Sequence, residues 1–172
     1  LLAGVLKFSA SLTNLRLYEN NLKDEGITFT CEAIQNNKET QLASLDIGCN
    51  GITSIGAKPV AAMMAVTTSL TSLNVSINNI KGSGEAFGQA LKANASLKDL
   101  NLEYCSLDTE DGKGLAGGLA FNTSLTSLDL SANFIGPELG IAMADALCVN
   151  TSLTQVNLSN NQLCGVWTEW DG

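Results

Sequence analysis

Apolar residues recur along this chain with two alternating periods. Six stretches carry the frame L-x-x-L-x-L-x-x-N/C-x-L. They are Leu12, Leu15, Leu17, Asn20, Leu22; Leu42, Leu45, Ile47, Asn50, Ile52; Leu70, Leu73, Val75, Asn78, Ile80; Leu97, Leu100, Leu102, Cys105, Leu107; Leu125, Leu128, Leu130, Asn133, Ile135; and Leu153, Val156, Leu158, Asn161, Leu163. The starts, at 12, 42, 70, 97, 125 and 153, lie 27 to 30 residues apart. Within each frame apolar and polar residues alternate, which predicts a short strand with one buried face. A glycine follows the last apolar residue of the frame by four or five positions, at Gly26, Gly56, Gly84, Gly112 and Gly140. An apolar pair spaced i, i+4 then precedes the next frame: Val60/Met64, Phe87/Leu91, Leu115/Leu119 and Met143/Leu147. Such a pair lies on one face of a helix. Pro59 and Pro137 are placed near the predicted helix starts, where a missing N–H costs little.

Each repeat therefore predicts a strand, a turn and an amphipathic helix. One repeat cannot bury its own apolar face, but stacked repeats form a continuous core. The predicted fold is an α/β solenoid, a horseshoe with a parallel β-sheet on the concave face and helices on the convex face. The Asn of each frame turns inward, where an unpaired amide is costly. Asn20, Asn50, Asn78, Asn133 and Asn161 are thus expected to form a ladder that satisfies neighbouring backbone groups, interrupted by Cys105. Leu2 and Leu6 fall where the helix pair of a preceding repeat would fall. The expected organisation is residues 1–11 as the end of a preceding repeat, 12–163 as six repeats, and 164–172 as a C-terminal cap or tail. The chain then reads as a fragment, or as part of a longer protein.

The Asn-x-Ser-Leu bridge recurs as Asn94-Ala95-Ser96-Leu97, Asn122-Thr123-Ser124-Leu125 and Asn150-Thr151-Ser152-Leu153. With this repeat length, the chain resembles leucine-rich-repeat proteins of the ribonuclease-inhibitor-like class. That class includes inhibitors, immune sensors, GTPase activators and axonemal scaffolds. The repeat architecture, the absence of a catalytic constellation and the partial repeat at the start lead to the expectation of a non-catalytic protein–protein interaction scaffold, a fragment or subunit of a larger intracellular assembly. Unpaired cysteines suit the cytoplasm. Two other readings are a GTPase-activating protein resembling the Ran GTPase activators and the sensor region of a nucleotide-binding leucine-rich-repeat immune receptor. The first lacks a strongly acidic tail and has Arg16 alone as an arginine.

Composition narrows the chemistry. The chain has 172 residues, 45% hydrophobic and 15% charged, and a formal net charge of −8. No basic stripe is available for nucleic acid, and an acidic membrane surface would repel the chain. There is no histidine, so Ser-His and Cys-His catalysis and the commonest metal ligand are missing. The five cysteines, Cys31, Cys49, Cys105, Cys148 and Cys164, form no CxxC pair and suggest neither a disulfide framework nor a zinc site. No catalytic residue, cofactor or metal is expected. Gly112-Lys113-Gly114-Leu115-Ala116-Gly117 matches G-x-G-x-x-G, but Gly112 is the repeat glycine and no βαβ unit surrounds it. The glycosylation sequons at Asn74, Asn94, Asn122, Asn150 and Asn157 fall at repeat-fixed positions and read as repeat chemistry.

Strand alternation places one column of side chains on the concave face: Arg16, Asp46, Asn74, Asn101, Asp129 and Asn157. The next column reads Tyr18, Gly48, Ser76, Glu103, Ser131, Ser159, and the one after it Glu19, Cys49, Ile77, Tyr104, Ala132, Asn160. Arg16, Tyr18, Glu103 and Tyr104 are the candidate anchors for a protein partner, since Arg and Tyr carry much of the energy at interfaces. The plainer alternative is a solvated face with Arg16 paired to Asp46. Trp167 and Trp170 in the C-terminal segment are read as a cap over the last repeat or as a second docking element. Six strands spaced ~4.8 Å and about 16 Å long give a face of about 400 Å², half of the ~800 Å² per partner in a standard interface.

Overall fold

The central leucine of each frame fixes the register of the sheet. Three-residue strands β1 (Asn14–Arg16), β2 (Ser44–Asp46), β3 (Ser72–Asn74), β4 (Asp99–Asn101), β5 (Ser127–Asp129) and β6 (Gln155–Asn157) lie parallel in the order β1-β2-β3-β4-β5-β6. Leu15, Leu45, Leu73, Leu100, Leu128 and Val156 stand directly opposite one another across it. This computed structural model describes residues 2–164. Parallel hydrogen bonding continues past the strands, from Leu17 N to Asp46 O at 2.7 Å and from Glu19 N to Gly48 O at 3.0 Å. The regular strands are shorter than the five residues expected, yet the ladder runs well into the following turn.

Helices α1 (Leu2–Leu6), α2 (Lys23–Asn36), α3 (Ser54–Val66), α4 (Gly84–Ala93), α5 (Thr109–Leu119) and α6 (Leu139–Val149) follow in alternation with the strands. Parallel neighbours require a crossover connection, and here the crossover is the helix. The predicted pairs Val60/Met64, Phe87/Leu91 and Leu115/Leu119 are fully buried. In α6 the pair is broken: Met143 is buried, but Leu147 is 42% exposed, and Leu139 and Ala146 complete the inward face. No helix follows α6 among the described residues, so the flank that a next repeat covers elsewhere is open there. Pro59 is also not at a helix start. Thr53 caps α3, its Oγ1 accepting from Ile55 N at 3.2 Å, which places Pro59 inside the helix and removes the bond its N–H would have made.

The predicted asparagine ladder is present. Asn133 Oδ1 accepts from Cys105 N (2.9 Å) and Leu107 N (3.0 Å), and its Nδ2 donates to the carbonyls of Leu102, Leu130 and Ser131. Asn78 and Asn50 repeat this pattern two and three turns earlier. Asn20, the first rung, is exposed and donates only to Tyr18 O, because no turn precedes it on that side among the described residues. At the interruption, the Cys105 thiol reaches Val75 O at 3.4 Å, and Ile80 N turns to the Cys105 carbonyl instead of a side chain. Burial pushes the Cys105 thiol up to about 12.

A second ladder runs along the helix-to-strand turns. Asn94 Nδ2 donates to Met64 O (2.7 Å) and Thr67 O (3.2 Å), while its Oδ1 accepts from Ser96 N and Leu97 N. Asn122 and Asn150 do the same one and two repeats further on, and Asn37 bonds Leu6 O and Ser9 O. The sequon asparagines Asn94 and Asn122 are thus buried with their amides already used, which leaves no nitrogen to carry a sugar. Carboxylates link the helix starts as well. Asp24 accepts from Thr53 N, Thr53 Oγ1 and Gly56 N of the next repeat, and Asp111 accepts from Gly82 N and Gly84 N of the previous one.

The glycine cluster serves helix packing. A Cβ on Gly88 would overlap the Gly114 carbonyl, one on Gly118 the Gly88 carbonyl, and one on Gly84 the backbone of Asp111. Helices α4 and α5 therefore meet backbone to backbone. Gly114 of the G-x-G-x-x-G match belongs to this contact, and Gly117 faces open space.

Candidate protein-binding face

The face of the sheet away from the helices holds the candidate residues, and the turn chemistry decides how freely each can act. Asp46 Oδ1 accepts from Gly48 N, Asn74 Oδ1 from Ser76 N, Asn101 Oδ1 from Glu103 N, Asp129 Oδ1 from Ser131 N and Asn157 Oδ1 from Ser159 N. Each is a side chain closing a turn onto the backbone two residues on, a habit of Asn and Asp. Two cross-strand pairs add to this, Asn74 Nδ2 to Asp46 Oδ1 at 3.0 Å and Asn157 Nδ2 to Asp129 Oδ2 at 2.9 Å. The column is thus partly committed to the scaffold. Arg16, at the same register, cannot accept such a bond. Nor does it pair with Asp46: among the described residues the ion pairs are Lys81–Asp108 and Lys113–Glu110.

The second column divides in two. Ser76 and Ser131 are buried, whereas Glu103 and Ser159 are exposed. Tyr18 is 42% exposed and lies against Gly48, where a Cβ would come within 2.9 Å of its Cδ2. Its phenol is pushed up, by partial desolvation first and then by Cys49, Glu19 and Asp46. The third column carries a feature that the strand pattern did not predict. Glu19, Cys49, Ile77, Tyr104, Ala132 and Asn160 all have left-handed backbone, with φ between 52° and 58°. The signal available in the sequence was only its position, always the residue before the Asn or Cys rung.

Between the middle strands lies a shallow depression of about 290 Å³, lined by Asn74, Asn101 and Asp129 together with Ser72, Asp99 and Ser127. Sequence reasoning did not single out Asp99, which opens β4 exposed on this face. The structure thus brings Asp46, Asn74, Asn101, Glu103, Tyr104, Asp129 and Asn157 onto one surface, with Arg16 and Tyr18 at its β1 edge. Trp167 and Trp170 lie outside the described residues. Among the described residues no group of three or more His, Cys, Asp or Glu could hold a metal ion, and no helix is long and apolar enough to cross a membrane.

An open parallel sheet lined by core leucines, two asparagine ladders and one helix per repeat define a leucine-rich-repeat solenoid. The family profile described as Leucine Rich repeat matches residues 40–61, 67–84, 93–116, 121–144 and 149–163, and this chain belongs to that family. Its repeats are of the ribonuclease-inhibitor-like kind. It is 33% identical over 118 residues to the ribonuclease inhibitor of Sus scrofa, covering 67% of this chain and 26% of that protein. To NACHT, LRR and PYD domains-containing protein 13 of Homo sapiens it is 31% identical over 109 residues, covering 63% of this chain and 10% of that protein. The chain therefore matches from about a tenth to a quarter of the length of these relatives. Among solved structures, Leiomodin-1 Actin-Binding Site 2 superposes with a TM-score of 0.65 at 20% identity, over 85% of this chain and 87% of that one. The tropomodulin C-terminal domain of Caenorhabditis elegans gives 0.68 at 18% identity, over 85% and 89%. These two likenesses are of fold.

Proposed function

We propose that this chain is a non-catalytic protein-interaction segment of a larger cytoplasmic protein or assembly, and that its concave sheet face docks a protein partner. The division into residues 1–11, the six repeats of 12–163 and a C-terminal segment 164–172 forms part of the same proposal. The observation that carries it is the state of β4 and its turn. The side chains of Asp99, Glu103 and Tyr104 stand exposed with no hydrogen-bond or ion-pair partner among the described residues, on a sheet whose other side is filled core. A polar, unpartnered surface on a rigid scaffold is where binding residues concentrate. Asn101→Arg would fill the depression between β3 and β5, and Ala62→Arg would place the same side chain on the exposed face of α3. Full-length protein carrying each substitution is compared by affinity purification with cross-linking. Loss of a stoichiometric partner in Asn101→Arg alone is the expected result, and loss in Ala62→Arg alone refutes the concave-face assignment.

A second reading is favoured by the relatives. NACHT, LRR and PYD domains-containing proteins 13 and 7 of Homo sapiens are 31% and 35% identical over 109 and 110 residues. On that reading the chain is the sensor region of a nucleotide-binding leucine-rich-repeat receptor. The full-length gene would then encode a nucleotide-binding domain upstream, and its absence there would dismiss the idea.

A further inference from the structure

The left-handed column forms a continuous apolar ridge along one rim of the sheet. Cys49 N donates to Ser76 O, Ile77 N to Glu103 O and Tyr104 N to Ser131 O, each near 2.9–3.0 Å, so these residues follow one another at ladder spacing. Tyr18 closes the ridge at the β1 end, lying over Gly48 beside Cys49. The ridge is doubly unfavourable in the chain by itself. Ile77 is β-branched at φ 56° and 40% exposed, and Tyr104 is at φ 52° and 64% exposed. A β-branched residue in this backbone region is a true outlier, and Asn or Gly would fit it without strain. The left-handed backbone belongs to the turn of every repeat, so what sets Ile77 and Tyr104 apart is their large, exposed apolar side chains, which the turn does not require.

Charge says what that molecule is. From the strands to the asparagine rung the face carries Glu19, Asp46, Asp99, Glu103 and Asp129 against Arg16, five carboxylates to one guanidinium. The side-chain carboxylates of Glu19, Asp99 and Glu103 accept no hydrogen bond and form no ion pair among the described residues.

We infer that the ridge of Tyr18, Cys49, Ile77 and Tyr104 is the anchor for a basic peptide segment of a partner, one that alternates Arg or Lys with large apolar side chains. The inference rests on the concave-face reading and deepens it. The apolar side chains of the segment cover Ile77 and Tyr104, while its cations meet Glu103, next to Tyr104 in the chain, and Glu19 at the β1 end. An extended segment rises ~3.3 Å per residue, so five or six residues span the four inter-strand steps of ~4.8 Å from Tyr18 to Ala132.

The test is a random-peptide display selection on the purified full chain, followed by affinities for the enriched peptides. Ile77→Asn and Tyr104→Asn suit the left-handed backbone and keep the fold, which circular dichroism verifies. The expected outcome is enrichment of Arg/Lys peptides bearing Leu, Phe or Tyr. Their affinity should fall about tenfold or more in each Asn variant and in Glu103→Lys, and weaken with salt. Peptides lost in Asn101→Arg but unchanged in Ile77→Asn and Tyr104→Asn would overturn the ridge and leave the concave face standing. Peptides indifferent to all these changes would overturn both. Enrichment of acidic sequences, or of none that depend on Tyr104, refutes the ridge. So does sedimentation showing self-association that Tyr104→Asn abolishes, which would assign the ridge to a second copy of the chain.

Discussion

Replacing Asn133 by Leu tests the internal ladder, because the two side chains are close in size and differ in what they offer the backbone. Asn133 is buried, and its Oδ1 is the acceptor for Cys105 N and Leu107 N, while its amide serves three carbonyls. Leucine would leave two backbone N–H groups buried without partners. Each such group costs about 1–3 kcal/mol, so the loss is about 2–6 kcal/mol before relaxation. The Cys105 rung sets how far relaxation can go. There Ile80 N finds the Cys105 carbonyl at 3.1 Å, so one of two donors can be rescued by moving the turn. A net loss of about 3 kcal/mol follows, which for a chain of this size lowers Tm by about 6–12 °C. Asn133→Cys, with its precedent at position 105, should lose less than Asn133→Leu. Thermal melts followed by far-ultraviolet circular dichroism, with urea titration for the free energy, give both values. A Tm for Asn133→Leu within about 2 °C of the parent would refute the ladder as a source of stability.

Three further outcomes follow from the same geometry. Gly88→Ala drives a Cβ into the Gly114 carbonyl and should destabilise by more than about 2 kcal/mol, whereas Gly117→Ala meets open space and should gain up to about 1 kcal/mol from helix propensity; a comparison of the two melts checks this. The Asp24 carboxyl is held low although burial opposes it, because Thr53 and Gly56 donate to it, and the Asp111 backbone N–H and Lys81 hold Asp108 low. Both groups bind a proton more readily unfolded than folded, so their stabilisation is complete above their usual value of 3.8 and is lost as pH falls through the lower folded values; Asp24→Asn should flatten that acid limb of the stability profile. Cys31 and Cys105 are buried with thiols pushed up to about 12, while Cys148 and Cys164 are exposed, so a thiol reagent on the native chain should label the latter pair and reach the former only on unfolding.

The repeat was legible in the sequence because every layer of it has a period: Leu15 to Leu45 to Leu73 is both the sequence frame and the sheet register. The asparagine rungs were legible for the same reason, since an inward amide at a fixed position needs fixed partners. What did not show was contact between repeats that depends on local distance. Gly84 reads as the repeat glycine, Gly114 as part of a chance G-x-G-x-x-G match, and Gly88 and Gly118 as nothing in particular, until the backbones of α4 and α5 are seen to touch. Asn37 escaped the second ladder because Asn-Lys-Glu-Thr there departs from Asn-x-Ser-Leu, although its amide makes the same bonds. Leu147 was misplaced because helical periodicity tells which residues share a face, not whether a neighbour covers it.

The proposed binding face was the least legible part, and the turn hydrogen bonds explain why. A recurring Asn or Asp at positions 46, 74, 101, 129 and 157 looks like a recognition surface, yet each spends one oxygen on the backbone two residues ahead. Recurrence there reports the turn. On the proposal above, specificity comes from the places where the repeat rule is broken without structural need: Arg16 in place of Asn or Asp, Glu103 where the column otherwise holds Gly or Ser in the central repeats, and Ile77 and Tyr104 in a backbone that favours Asn or Gly. In a repeat protein the scaffold is written in what recurs and the partner in what departs from it. This predicts that Arg16→Asn and Glu103→Ser, changes to residues the repeat uses elsewhere, and Tyr104→Asn, which suits the left-handed backbone, will keep or raise Tm while abolishing partner binding. A combined variant that melts no lower than the parent but still binds would show that the departures are incidental.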